Sequence, residues 1–252
     1  KRTYISRIPP GVVGVVSPWN YPFSIPFAEI IMGLMAGNAI LYKVSEDTPL
    51  VGLEIEKALQ AGELPDGLTK MVMGDGASIA ASWFESEIEK IFFTGSTRVG
   101  KILMKQASET LTPLSLELGG NDAAIVFEDA NLKRAANGIV WAGFQNCGQT
   151  CAAVERVYVQ ENVADKFIRL LVDKVNSLRQ GPEKNKFDVD IGAVTVKRQL
   201  ETIERHVDDA LKKGAVIAAK IKMDNKEKGN FYPATILTNV DHTMSVMKEE
   251  TY

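Results

Sequence analysis

The chain has 252 residues, of which 45% are hydrophobic and 24% charged, and its formal net charge is −3. Such a chain is long enough for one large or two small globular domains with a buried core. Its acidic and basic residues are interspersed, which argues against nucleic acid or an anionic membrane as partner. No apolar run reaches the roughly 20 residues that cross a bilayer. The most apolar stretch, 23–41, is interrupted by Pro26 and Glu29.

The cysteine content limits redox and metal chemistry. Cys147 and Cys151 stand four residues apart, and the two histidines, His206 and His242, lie far from them in sequence. Two cysteines do not make a disulfide framework, and two thiols without a nearby histidine do not make a zinc site. We therefore expect reduced thiols, no metal and a cytoplasmic protein. The chain stops at KEETY without a tail, so we also expect a piece of something longer, or its ordered part.

Short β-branched or apolar runs alternate with amphipathic stretches along nearly the whole chain. This alternation predicts an α/β fold with a largely parallel sheet that is covered by helices on both faces. Strands are predicted at 12–17, 39–44, 69–73, 90–94, 114–118, 123–127, 156–160, 215–219 and 234–238. Helices are predicted at 24–36, 48–61, 77–85, 97–109, 131–145, 163–179 and 195–213.

Turn and cap residues indicate where elements begin and where domains divide. The tripeptide Asp47-Thr48-Pro49 predicts a helix start, with a capping side chain before a proline in the first turn. The polar stretch 222–230 predicts an exposed loop, with a hairpin as the alternative. The Gly119-Gly120 pair interrupts two strand-like runs and is our predicted domain boundary.

Polar residues follow predicted strands at the ends where ligands gather in parallel sheets. In IFFTGSTRVGK a strand runs through Gly95 and Ser96 into a helix, whose unpaired N–H groups would suit a phosphate. The alternative is a plain capped turn. The strand AILYK leads to Lys43 and Glu46, which could bond the hydroxyls of a ribose, and Glu46 would repel the extra phosphate of NADP. The alternative is a surface ion pair.

Two further side chains suit the chemistry of a carbonyl group. The proline-stiffened loop SPWNYPF presents the Asn20 amide as a candidate oxyanion donor, with Trp19 among the aromatics that could line a pocket. Asparagine is more commonly used to bond its own backbone in a turn. Glu117, in ELGGN, lies between two leucines, and apolar surroundings would raise its pKa toward the range of a general base. The alternative is a plain surface carboxylate.

The segment QNCGQTCAA carries the candidate nucleophile. Cys151 follows a flexible Gly-Gln-Thr approach and precedes two alanines, which suits an accessible thiol, although free cysteines are more often buried and inert. Cys147 keeps that inert interpretation, with a reversible disulfide to Cys151 as the alternative. A thiol captures carbonyl carbon, and a carboxylate such as Glu117 can activate water to release the product.

Six motifs occur in the order and approximate spacing of the aldehyde dehydrogenase superfamily: PWNYPF, K-x-S-E, FTGSTRVG, ELGGN, N-x-GQ-x-C and KEE. The chain resembles that family along essentially its whole length but covers only part of a typical member. The resemblance implies a Rossmann-like dinucleotide-binding domain over 1–118 and a second α/β catalytic domain over 119–252, both incomplete. One departure is Val44, which stands where proline is frequent.

The resemblance also implies a reaction, the oxidation of an aldehyde to an acid through a cysteine thioester. Cys151 matches the nucleophile, Asn20 the oxyanion donor and Glu117 the general base. The implied cofactor is NAD, with NADP as the alternative. The implied assembly is a homo-oligomer, either a dimer or a tetramer. The positions assigned to cofactor binding are Trp19, Lys43, Glu46, Gly76, Phe93, Gly95, Ser96, Leu118, Glu250 and Tyr252.

Two alternatives accompany this hypothesis. The first is a relative that transfers the acyl group to coenzyme A, against which the water-activating Glu117 weighs. The second is a truncated, non-catalytic module that keeps the fold without turnover. The sequence leaves the aldehyde open, whether succinate semialdehyde, a simple aliphatic aldehyde or an aromatic one.

Overall fold

The structure is a computed structural model that describes residues 2–223 and 228–251. The chain forms two compact units, Lys1–Gly119 and Gly120–Tyr252. Each unit contains helices and parallel strands, so the predicted α/β class is confirmed. Within the described ranges, no helix is long and apolar enough to cross a membrane. Part of the predicted loop at 222–230 lies outside the described residues.

The first unit alternates strictly between strands and helices until its last strand. Its elements are β1 Val12–Val16, α1 Ser24–Met35, β2 Ala39–Lys43, α2 Pro49–Gln60, β3 Thr69–Val72, α3 Gly76–Phe84, β4 Lys90–Gly95, α4 Thr97–Thr110 and β5 Leu114–Leu118. The five strands pair in parallel in the order β3-β2-β1-β4-β5. The order reverses between β1 and β4, which is the arrangement of a dinucleotide-binding sheet.

Alternate residues of each strand pack on opposite faces of this sheet, as the period of a strand requires. One face carries Val13 and Val15 and is covered by α1 and α2. The other face carries Ile91 and Phe93 and is covered by α3 and α4. Both faces of the central strands are therefore buried, which explains their continuous apolar sequences.

The second unit holds two separate strand pairs. Its elements are β6 Asp122–Val126, α5 Leu132–Phe144, β7 Val154–Val159, α6 Glu161–Asn176, α7 Lys197–Lys212, β8 Val216–Lys220 and β9 Thr235–Thr238, with 3-10 turns at Gln145–Gly148 and Ser245–Met247. Strands β6 and β7 pair in parallel, and β8 and β9 pair antiparallel. Helices α5 and α6 pack their apolar faces together, with Val140 and Phe167 among the buried residues.

The predicted helix start at Asp47-Thr48-Pro49 is confirmed in position, since Pro49 is the first helical residue of α2. The predicted capping side chain is wrong. Thr48 occupies the N-cap position but makes no capping hydrogen bond to the helix within the described chain. The proline supplies the start instead, because its fixed φ suits the first turn and it lacks an N–H to satisfy.

Candidate active site

The predicted site residues of the first unit gather at one edge of its sheet. All five strands are parallel, so their carboxyl ends lie together, and ligands bind at this edge where the strand order reverses. The residues at or just beyond these ends are Trp19 and Asn20 after β1, Lys43 and Glu46 at β2, Gly76 after β3, Gly95 and Ser96 at β4, and Glu117 and Leu118 on β5. The topology thus brings together residues that are up to about one hundred positions apart in sequence.

Lys43, Glu46 and Gly76 form a compact group at this edge. The Lys43 side chain is only 4% exposed, and its Nζ lies 3.0 Å from Glu46 Oε1 and donates to the Val44 carbonyl oxygen at 3.1 Å. Glu46 is 58% exposed. A methyl group placed on Gly76 would lie 3.5 Å from Lys43 Cε and 3.7 Å from Glu46 Oε1, so any longer side chain would cover the pair. The ion pair of the alternative interpretation exists, but its lysine is buried.

Ser96 stands at the N-terminus of α4 and is exposed. Its Oγ accepts a hydrogen bond from Val99 N at 3.3 Å, so the capped turn of the alternative interpretation is present. The amides of the first helical turn have no partner within the helix, which leaves this end suited to an anion. Phe93 lies beneath Gly95, where an added methyl group would meet its Cζ at 2.6 Å. Phe93 therefore supports the turn from the core, at 4% exposure.

Leu118 and Glu117 point to opposite faces of β5. The Leu118 side chain packs against α4, where a methyl group on Gly100 would approach its Cδ2 to 2.7 Å. Leu118 is therefore partly buried, and its side chain contributes to the packing of α4 on the sheet. Glu117 is exposed, so the expected apolar setting is wrong within the described chain. The physical reason is strand alternation, which turns the two neighbouring leucines away from the carboxylate.

Asn20 is buried in the loop that follows β1. Its Oδ1 accepts a hydrogen bond from Tyr21 N at 3.1 Å, so the backbone-bonding use of asparagine is realised. The loop is also tied to the next strand, because Ser17 N donates to the Lys43 carbonyl oxygen at 3.0 Å. The bond from Tyr21 N orients the Asn20 side-chain amide on a loop that is anchored to β2, which suits an oxyanion donor.

Glu29 is a carboxyl group at this edge that the sequence analysis did not assign to the site. It lies on α1, and its Oε1 accepts a hydrogen bond from Thr94 Oγ1 at 3.3 Å. Burial raises the pKa of Glu29 to about 7; the bond from Thr94 lowers it and the charge of Glu117 raises it. The only signal in the sequence was a single acidic residue in the apolar stretch 23–41.

In the second unit, Cys151 is a half-buried thiol on a turn with unusual backbone. Asn146 and Cys147 have positive φ values of 49° and 63°, which are strained for residues with a side chain. Gln149, only 1% exposed, holds this backbone in place. Its Nε2 donates to the Asn146 carbonyl oxygen at 2.8 Å, and its Oε1 accepts from Thr195 N at 2.8 Å. The polar side chains of Asn146 and Gln149 therefore stabilise the turn that precedes the thiol.

The two thiols differ in their surroundings. Cys147 donates through Sγ to the Ala193 carbonyl oxygen at 3.3 Å, and burial raises the pKa of its thiol. A raised pKa lowers the thiolate fraction and hence the reactivity. Within the described residues both cysteines are free thiols. Cys151 lies beside the second glycine of ELGGN, because a methyl group on Gly120 would be 3.9 Å from the Cys151 carbonyl oxygen.

Glu250 is half-buried in a segment that is held from several sides. Thr251 N donates to both carboxylate oxygens of Glu155, at 3.0 and 3.2 Å. His206, which is fully buried, lies with Nδ1 3.1 Å from Thr251 Oγ1 and with Nε2 3.3 Å from Glu249 Oε2. Burial, and then the charge of the neighbouring arginine, lower the pKa of His206. Its neutral ring thus connects two side chains that flank Glu250.

Asn121, the last residue of ELGGN, fixes the same segment from the other side. Its Nδ2 donates to the Val246 carbonyl oxygen at 3.1 Å and also to the Glu249 carbonyl oxygen. The sequence analysis gave no role to Asn121 or His206, because their partners are more than 40 residues away. Tyr252, the last predicted cofactor residue, lies outside the described residues.

Comparison with known proteins agrees with this arrangement. The sequence model of the aldehyde dehydrogenase family matches residues 1–252. The chain is 38% identical over 248 residues to 4,4'-diapolycopene aldehyde oxidase of Methylomonas sp., which covers 98% of this chain and 45% of that protein. An E. coli NADP dependent enzyme superposes with a TM-score of 0.92 at 34% identity, covering 97% of this chain and 50% of that one.

A second solved structure, betaine aldehyde dehydrogenase of Staphylococcus aureus in complex with NAD+, superposes with a TM-score of 0.89 at 32% identity. The match covers 96% of this chain and 49% of that chain. The chain thus spans about half the length of the curated relatives it matches. Because the family match extends over every residue and both units superpose on solved members, the chain belongs to the aldehyde dehydrogenase family.

Proposed function

We propose that the protein oxidises an aldehyde to a carboxylic acid, with a nicotinamide dinucleotide as the hydride acceptor. The observation that carries this proposal is the half-buried Cys151, on a turn that a buried glutamine holds in strained backbone. Strained turns that the surroundings stabilise are typical of functional sites. Residues 1–118 would serve the dinucleotide, and residues 119–252 would carry the nucleophile.

The first unit fits a dinucleotide. Lys43 and Glu46 would hold the adenosine ribose, because the lysine is buried and prepositioned while the carboxylate is exposed beside the bare backbone of Gly76. Ser96 and the first turn of α4 would hold the pyrophosphate. In the second unit Glu250 would bond the nicotinamide ribose. When bound, the nicotinamide ring supplies a hydride acceptor.

The protein residues would divide the remaining work. Cys151, as a thiolate, adds to the aldehyde carbon, and the C=O electron pair moves onto oxygen to give a thiohemiacetal. Asn20 and the Cys151 N–H donate hydrogen bonds to that oxygen. After oxidation a thioester remains on sulfur. Glu117 then takes a proton from water, the water oxygen adds to the thioester carbon, and the thiolate leaves as the acid is released.

We propose NAD over NADP. Glu46 places a carboxylate beside the ribose position, and a carboxylate repels a 2′-phosphate. One similar solved protein is described as NADP dependent and another binds NAD+, so both cofactors belong in the assay. A homo-oligomer and a cytoplasmic location remain part of the proposal, the latter supported by the two free thiols in the described chain.

The decisive experiment is the Cys151→Ala variant of the purified protein, assayed for reduction of NAD with a panel of aldehydes. We expect a loss of at least about a thousandfold, because no other described group replaces the covalent step. Cys147→Ala is the matched control and should retain its rate within about threefold, since that thiol donates to the Ala193 carbonyl oxygen and its pKa is raised. An unchanged rate for Cys151→Ala would refute the proposal.

A second assay separates hydrolysis from acyl transfer. Glu117→Gln should keep the first burst of NADH and slow the steady state, because the thioester forms but water is not activated. Coenzyme A added to the unaltered protein should leave the acid as the product. Formation of acyl-CoA instead would replace hydrolysis by transfer, and absence of any turnover in a folded protein would favour the non-catalytic module.

A further inference from the structure

The segment that carries Glu250 depends on side chains to hold its backbone. Glu249 N donates to the Ser245 carbonyl oxygen at 2.9 Å, and beyond Glu249 the described residues lie in neither a helix nor a strand. Backbone N–H and C=O groups that leave the solvent still need hydrogen-bond partners. Here those partners are side chains from other parts of the second unit.

Two side chains hold the peptide groups on either side of Glu250. On the amino side, the Glu249 carbonyl oxygen accepts a hydrogen bond from Asn121 Nδ2. On the carboxyl side, Thr251 N donates to the carboxylate of Glu155, at 3.0 and 3.2 Å from its two oxygens. A hydrogen bond to a carboxylate is among the stronger ones in proteins. We call Asn121 and Glu155 the Glu250 clamp, because they restrict the backbone of Glu250 from both sides.

Asn121 is itself held in place. Arg156 Nε donates to its carbonyl oxygen at 2.9 Å, and Arg156 Nη2 donates to the same oxygen. The Asn121 Nδ2 donates to the Val246 carbonyl oxygen at 3.1 Å as well as to that of Glu249. Asn121 Oδ1 is buried and has no hydrogen-bond partner among the described residues. The amide therefore acts through its donor, and an aspartate would place a carboxylate oxygen against two carbonyl oxygens.

The clamp starts from regular structure. Asn121 immediately precedes β6, and Glu155 is the second residue of β7. In the parallel register of these strands Asp122 is the partner of Val154, so the two clamp residues flank the same end of one strand pair. The paired strands thus anchor an irregular segment that lies more than 90 residues away in sequence.

We propose that Asn121 and Glu155 are positioning residues for the nicotinamide ribose, acting through Glu250. The proposal rests on the proposed function, in which Glu250 bonds that ribose. The clamp fixes the peptide groups that carry Glu250, so its carboxylate is placed before the ligand arrives and less conformational freedom is lost on binding. Loss of the clamp should weaken the hold on the ribose and leave the thiol chemistry unchanged.

The test compares ADP-ribose with ADP, because the two differ only by the ribose that Glu250 would bond. Calorimetry on the purified protein gives both dissociation constants, and we expect the unaltered protein to prefer ADP-ribose. Glu155→Leu and Asn121→Asp should each reduce this preference about fivefold, while the Kd for ADP stays within about twofold. ADP reports on the first unit, where Lys43 and Ser96 would hold it.

A conservative variant and a control separate positioning from general damage. Glu155→Gln keeps an acceptor oxygen for Thr251 N and should retain the preference within about twofold. Asn137→Asp, on an exposed asparagine of α5, should leave it unchanged. In steady-state assays the clamp variants should raise the KM for NAD at a nearly constant kcat. Iodoacetamide should alkylate Cys151 at the same rate in all of them.

An unchanged preference for ADP-ribose in either Glu155→Leu or Asn121→Asp would overturn the proposal. Equal losses in Glu155→Gln and Glu155→Leu would also overturn it, because only the second removes the acceptor. If Glu155→Leu does not fold, Asn121→Asp decides alone. An unaltered protein that lacks the preference refutes the ribose contact of Glu250 and the clamp with it. A protein that shows the preference and its loss in the variants, but oxidises no aldehyde, would instead sink the proposed function and leave the clamp standing.

Discussion

The first unit places its candidate residues where regular strands end, whereas the second unit places them on irregular backbone. Lys43 lies at the end of β2, and its position follows from the parallel sheet alone. Cys151 lies on a turn whose preceding residues have positive φ values, and Glu250 lies in a segment with little regular structure. In the second unit, side-chain hydrogen bonds replace the sheet as the positioning device.

This difference has an energetic consequence. A strand end is fixed by many backbone hydrogen bonds and by core packing, so removing one polar side chain leaves its geometry intact. A turn fixed by one buried glutamine loses its support when that side chain is removed, and buried partners are left unsatisfied. Removing a polar side chain should therefore have different consequences for site geometry in the two units, and three substitutions can measure the difference.

The largest effect is expected for Gln149→Ala, which touches neither substrate nor cofactor in the proposal. The Gln149 side chain donates to the Asn146 carbonyl oxygen and accepts from Thr195 N, and alanine removes both of these hydrogen bonds, which support the strained φ of Asn146. We expect kcat to fall about a hundredfold with little change in the KM for NAD. Stopped-flow measurement of the burst rate checks this result.

Gln60→Ala is the matched control, because Gln60 is exposed at the end of α2. It should leave kcat within about twofold. A Gln149→Ala protein with an unchanged burst rate would mean that the turn holds its shape without the glutamine, and the contrast between the units would disappear.

The same contrast explains how far the sequence could be read. In a parallel sheet, strands and helices alternate along the chain with recognisable apolar patterns. The strands, the helices and the residues at strand ends, including Lys43 and Ser96, were therefore predictable. Contacts between distant side chains were not. Nothing in the sequence connects Asn121 to Glu249, which is 128 residues later, and nothing shows that Glu29 faces Thr94. The setting of Glu117 was mistaken because two flanking leucines do not reveal which face each one joins.

The second prediction concerns the strand end at β2. Lys43→Met keeps the length of the buried side chain and removes its charge. We expect kcat/KM for NAD to fall about thirtyfold, chiefly through KM, because the ribose contact is lost while the sheet stays intact. Steady-state kinetics with NAD as the varied substrate provide the measurement.

Lys57→Met is an unusually close control. Lys57 forms an ion pair with Glu54 at the same kind of spacing, three residues apart, but both partners are exposed. An exposed pair contributes about 0–1 kcal/mol, so its loss should change neither kinetic constant measurably. Equal effects of the two substitutions would show that Lys43 has no special relation to the cofactor.

The smallest effect is expected for His206→Leu, which tests whether side-chain bonds also position Glu250. Leucine fills the buried space but removes the contacts to Thr251 and Glu249, each a hydrogen bond with a net contribution of about 1 kcal/mol. Only part of that energy is transmitted to Glu250, so we expect the KM for NAD to rise about fivefold at a nearly constant kcat. His242→Gln, on an exposed histidine of the same unit, should leave the KM for NAD unchanged. A fall in kcat with an unchanged KM would place the effect of His206 on the thiol turn, and the carboxylate of Glu250 would then be positioned by backbone alone, as in the first unit.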